Sequence, residues 1–92
     1  MSEDERRTAA VYKFYDLCSQ LKRYDSIRLH THTELGGETL IEIDRYYGDR
    51  KGERILRVTQ EDEVAAYEQA ADQLKQILEQ REKDRKAGQR GA

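Results

Sequence analysis

The chain contains no proline and no tryptophan, a single phenylalanine and a single cysteine, Cys18. Without proline there is no stiff linker, and no residue type is present that must break a helix or a central strand. With one cysteine no disulfide can close within the chain, which points to a reducing, cytoplasmic setting. No apolar run approaches the ~20 residues that cross a bilayer, so no membrane segment is expected. The opening "MSEDERR" lacks the apolar stretch of a signal peptide. An excess of one charge is missing too: the formal net charge is -2, too small to steer the whole chain toward nucleic acid or a membrane.

What is present is much charge over little core. Charged residues make up 39% of the 92 positions and hydrophobic ones 36%. One small domain is expected, burying roughly 60–65% of the surface its unfolded chain exposes. So thin a core is either sheathed by solvated side chains or completed by a second copy.

Residues 2–23 read as a helix. Ser2 and Glu5 have the spacing of a capping box, and Ala10, Phe14, Leu17, Cys18 and Leu21 recur at helical intervals. Residues 27–35, 39–47 and 54–59 alternate as strands, separated by the turn signals "GGE" and "GDRKGE". Thr59 and Asp62 open a second helix over 60–85, with Val64, Tyr67, Ala71, Leu74 and Leu78 on its apolar stripe and Ile77 beside it. Residues 1–85 thus form the domain, and 86–92 a flexible basic tail. The order predicts an α+β fold of two layers, α-β-β-β-α, with a three-stranded antiparallel meander and both helices on its apolar face.

Requiring the apolar faces to coincide sets a register. A three-residue loop at 36–38 pairs Thr33 with Ile41 and Thr31 with Ile43. A four-residue loop at 48–51 pairs Ile43 with Leu56 and Ile41 with Val58. On the outer face His32 then meets Glu42, His30 meets Asp44, and Glu42 meets Arg57.

The stretch "RLHTHTELGGETLIEID" therefore has two readings. Imidazoles and carboxylates facing one another suit a divalent metal ion. They equally suit the wet side of a sheet, where cross-strand polar pairs stabilise by roughly 0.2–1 kcal/mol without any ion. Side chains standing parallel on a sheet converge poorly on one point, so the polar face is preferred and no metal or other cofactor is assigned. That face, Arg28, His30, His32, Glu42, Asp44, Tyr46 and Arg57, is the candidate partner-binding set. Catalysis is not expected. Cys18 falls on the helix stripe rather than beside a histidine, and "LGGE" joins strand to strand without a phosphate loop's lysine or helix.

Two other surfaces stand out. At the second hairpin, Arg45, Tyr47, Arg50 and Lys51 interleave cations with aromatic rings, as single-stranded nucleic acid would require, although Asp44, Asp49 and Glu53 dilute them. Tyrosines at 12, 15, 24 and 46, with Leu40 and Ile55 on the outer face, suit surfaces buried on assembly. A 26-residue second helix is about 39 Å long against ~20 Å for the last strand. Its late stripe should overrun the sheet, so Leu74, Ile77, Leu78 and Arg81, with Tyr12 and Tyr15, are expected to hold a homodimer or larger ring.

The layout of "YDSIRLHTHTE", "GGETLIEIDRYYGDRKGERILRVTQEDE" and the following helix resembles small phage-encoded anti-CRISPR inhibitors. The resemblance implies a non-enzymatic protein that binds and blocks a larger host complex. It carries no residue over, and the near-neutral charge argues against imitation of a DNA duplex. Protein binding is thus the leading expectation, with a nucleic-acid-binding regulator using the 45–57 hairpin as the alternative.

Overall fold

The computed structural model describes residues 2–90, with side chains through residue 88. The order is α1 (Glu3–Leu21), β1 (Ile27–Thr33), β2 (Thr39–Tyr47), β3 (Arg50–Gln60) and α2 (Glu63–Arg90). The strands form one antiparallel sheet with β2 in the centre, and both helices lie on one face of it.

Each helix starts where its cap dictates. The Ser2 hydroxyl accepts a hydrogen bond from the Glu5 N–H at 3.2 Å, and acids at 3, 4 and 5 meet the positive end of the helix dipole. For α2 the cap is Asp62, not Thr59: its carboxylate accepts from the Ala65 N–H at 2.9 Å. Thr59 and Gln60 instead continue β3. Nor does α2 stop at 85. Its last turns hold no breaker before Gly88, and spaced pairs such as Arg85–Glu82 (2.7 Å) and Gln80–Asp84 (2.9 Å) support them. The tail expected from 86 is therefore helical as far as Arg90, while residues 91 and 92 lie outside the described part.

The helices run parallel. At one end Arg7 pairs with Glu63 (3.0 Å) and Arg6 with Glu68 (2.8 Å). At the other, the Tyr24 hydroxyl donates to Glu82 (2.6 Å) and Arg81 pairs with Asp25 (3.0 Å). Between the helices and the sheet lie Phe14 and Leu21 of α1, Ile41 and Ile43 of β2, Leu56 and Val58 of β3, and Leu74 of α2, all buried. Phe14 meets the Tyr67 ring edge-on, with centroids 5.5 Å apart. Burying such side chains stabilises by about 1.5–3 kcal/mol each.

The second hairpin pairs Ile43 with Leu56 and Ile41 with Val58, the register the apolar faces require. Its loop is two residues, not four. Gly48 takes φ +65°, as the first position of a tight hairpin turn demands, and Tyr47 pairs with Arg50. Register shifts between Ile43 and Tyr46 absorb the difference as a bulge. The first hairpin is displaced by two residues from expectation. Thr33 pairs with Thr39, Thr31 with Ile41 and Leu29 with Ile43. The cause is its turn, closed by the Gly37 N–H on the Glu34 carbonyl, with Gly36 at φ +76°.

This topology sorts the charges along a body 51 Å long. Both helix N-termini and the first hairpin turn share one end, which carries Glu3, Asp4, Glu34, Glu38, Glu61 and Asp62. The second hairpin tip and the last turns of α2 lie toward the other, with Arg50, Lys51, Lys83, Arg85 and Lys86.

Candidate functional site

The face of the sheet turned away from the helices is built by alternation. Arg28, His30 and His32 come from β1, Leu40, Glu42, Asp44 and Tyr46 from β2, and Arg57 and Thr59 from β3. Its centre is an ionic lattice. Arg54 reaches Glu42 at 2.8 Å and Asp44 at 3.1 Å, Arg57 approaches Glu42 at 3.9 Å, and Lys51 approaches Asp44 at 3.8 Å. The bulge brings this about by setting Arg54 opposite Asp44. Asp44, expected to be exposed, is consequently buried beneath these cations.

Toward β1 the guanidinium carbon of Arg28 lies 4.1 Å from the centroid of the Tyr46 ring. Such stacking holds an arginine in place while leaving its edge free for a carboxylate. His30 stands opposite Glu42, and His32 opposite Leu40, rather than opposite Asp44 and Glu42. His32 approaches Glu34 at 3.8 Å. Among the described residues no group of three or more histidines, cysteines and carboxylates is gathered to hold a metal ion. Cys18 is buried on the helical side, where burial pushes its thiol up to about 11, so it is poor in the reactive thiolate.

The hairpin-tip residues divide. Arg50, Lys51 and Tyr47 are exposed, Tyr47 by 56%. Arg45 is turned inward instead, paired with Asp25 at 3.0 Å and Glu53 at 3.2 Å, and its Nε is buried without a partner. Arg54 is likewise engaged in the lattice, so the tip offers less free cation than its sequence suggests.

The residues expected to hold an assembly also divide. Leu74 and Leu78 are buried, Ile77 packs against the core, and Arg81 is tied to Asp25 within the chain. The parallel course of α1 covers that stripe, which removes the reason for an interface there. Ile55 also packs against the core rather than standing on the outer face. Tyr12 and Tyr15 remain exposed, by 72% and 44%.

Two residues escaped the sequence reading. Asp25, whose side chain is only 10% exposed, bridges Arg45 and Arg81, and Gly52 lies under the Tyr47 ring. Asp25 has no local signal because its partners are set by tertiary contact, and the neighbours of Gly52 across its hairpin follow from the two-residue turn.

No protein family, curated protein or solved structure is significantly similar to the chain. No helix among the described residues is long and apolar enough to cross a membrane.

Proposed function

We infer that the protein works by binding another protein through the open face of its sheet and does no chemistry of its own. The observation supporting this is exposed Arg28, stacked on half-buried Tyr46 and standing opposite Asp44, at the border of the ionic lattice. An arginine and a tyrosine that hold each other in place lose little freedom on binding, which is the character of interface hot spots. The cations above Glu42 and Asp44 favour a partner surface bearing carboxylates. Blocking a larger host complex, as the likeness to anti-CRISPR inhibitors implies, is a role of this kind.

The test is quantitative affinity capture from a host extract. Tyr46→Ala combined with Arg57→Ala should lose captured proteins at least ten-fold, while Tyr12→Ser should keep them. Equal recovery by the two would refute the face. Binding to a random oligonucleotide panel at low salt, abolished by Arg50→Ala with Lys51→Ala, would replace this reading with the nucleic-acid one.

A further inference from the structure

The sheet is open, with β1 and β3 at its edges. The Tyr46 N–H donates to the Ser26 carbonyl at 2.8 Å, and the Glu34 N–H to the Glu38 carbonyl at 3.1 Å. Hydrogen-bonded positions alternate along an antiparallel pair. Even-numbered residues of β1 therefore turn their backbone groups toward β2, while those of Ile27, Leu29, Thr31 and Thr33 point off the edge. No turn or loop backbone group among the described residues pairs with them.

The two edges are treated differently. β3 carries a bulge and Lys51, both of which discourage strand addition. β1 has neither bulge, lysine nor proline. The apolar surface above it is incompletely covered too. Ile27 and Leu29 are half-buried, and Tyr15, whose ring packs edge-on against Phe14, stays exposed.

We propose that β1 is an interface between two copies of this chain, paired antiparallel about a two-fold axis at Thr31, so that the two sheets become one. The axis is chosen by charge. At Thr31 it sets Arg28 of each copy opposite Glu34 of the other; at Leu29 or His30 it would set Arg28 opposite a histidine. Within one chain Arg28 has the Tyr46 ring but no carboxylate, and Glu34 has only His32 at 3.8 Å. The same register joins the backbone groups of Leu29 to those of Thr33 and brings Leu35, wholly exposed at the turn, beside Ile27 of the other copy. An axis perpendicular to the sheet keeps both helical layers on one side, where Tyr12 and Tyr15 of the two copies approach. The pairing shares Arg28 with the open face, whereas Glu34 lies in the turn beyond it, so Glu34→Arg tests the pairing apart from the partner reading.

Sedimentation equilibrium at about 100 μM, within the micromolar range of a modest interface, should give twice the 10.8 kDa of one chain. Arg28→Glu and Glu34→Arg should each weaken the dimer at least ten-fold, and the double swap should restore it. Glu34→Arg lies in an exposed turn, so its fold should persist by circular dichroism. In the wild type the amides of Leu29, Thr31 and Thr33 should exchange slowly, and in either single variant quickly. A wild type that sediments as one chain overturns the pairing, even if a strand of another protein then occupies the edge. So does a dimer indifferent to both swaps whose three amides exchange freely, since its copies would meet elsewhere.

Discussion

The Tyr24 hydroxyl donates to Glu82 Oε2 at 2.6 Å, and this bond fastens the end of α1 to the last part of α2 that touches the body. It holds the Glu82 carboxyl below its ordinary 4.5 and, with partial burial, lifts the Tyr24 phenol above its ordinary 10.0. A lowered carboxyl stabilises above its unfolded value, and a raised phenol below its own. The clasp is therefore at full strength between those two values and fails as pH falls through the folded value of Glu82. Tyr24→Phe should leave the fold intact, lower the melting temperature by a few degrees at pH 7, and flatten the loss of stability below pH 4.5. An unchanged acid limb in thermal melts would show that the bond contributes nothing.

Ile43 is fully buried on the central strand. Ile43→Ala should cost about 2–5 kcal/mol, read as a lower urea midpoint. A loss under about 1 kcal/mol would mean that the neighbouring side chains collapse into the space far more completely than in ordinary cores.

A methyl group on Gly52 would lie 2.6 Å from the Tyr47 ring and 3.0 Å from the Arg45 carbonyl oxygen. The ring can swing away, but the backbone oxygen cannot. Gly52→Ala should destabilise by about 1–3 kcal/mol and free Tyr47, seen as a change in its fluorescence. Gly52→Ala with Tyr47→Ala relieves the ring contact alone, so part of the cost should remain.

The Cys18 thiol, raised from 9.0 to about 11, binds its proton more tightly folded than unfolded. Its stabilising effect is complete below 9 and is lost as pH rises through about 11. Melting temperatures measured from pH 8 to pH 11 should fall more steeply for the wild type than for Cys18→Ala. Parallel slopes would mean that the thiol is not shielded from solvent.

Periodicity exposed the order of the elements and their inward faces, because Ile41, Ile43, Leu56 and Val58 alternate cleanly with polar residues. The first hairpin kept its faces while changing its partners, since a displacement of two residues preserves alternation. Only the backbone of Glu34–Gly37 determines where that turn closes, and a pair of glycines permits more than one closure. The bulge at Asp44 was hidden for a similar reason: an extra residue in β3 leaves the sequence of β2 unmarked. The stripe of Leu74 and Leu78 looked uncovered because amphipathic spacing says which side of a helix is buried, not what buries it. Asp25 could not be foreseen as a bridge, its partners Arg45 and Arg81 being joined to it only by the fold.

The separation of charge along the long axis makes the net figure of -2 a poor guide to behaviour. At physiological ionic strength a charge is felt over about 8 Å, far less than the 51 Å length of the body. The two ends then act as separate poles, and a column bead or surface near one of them does not sense the other. The molecule is amphoteric in space as well as in composition: both cation- and anion-exchange resins should retain it near its isoelectric point, each gripping the opposite end.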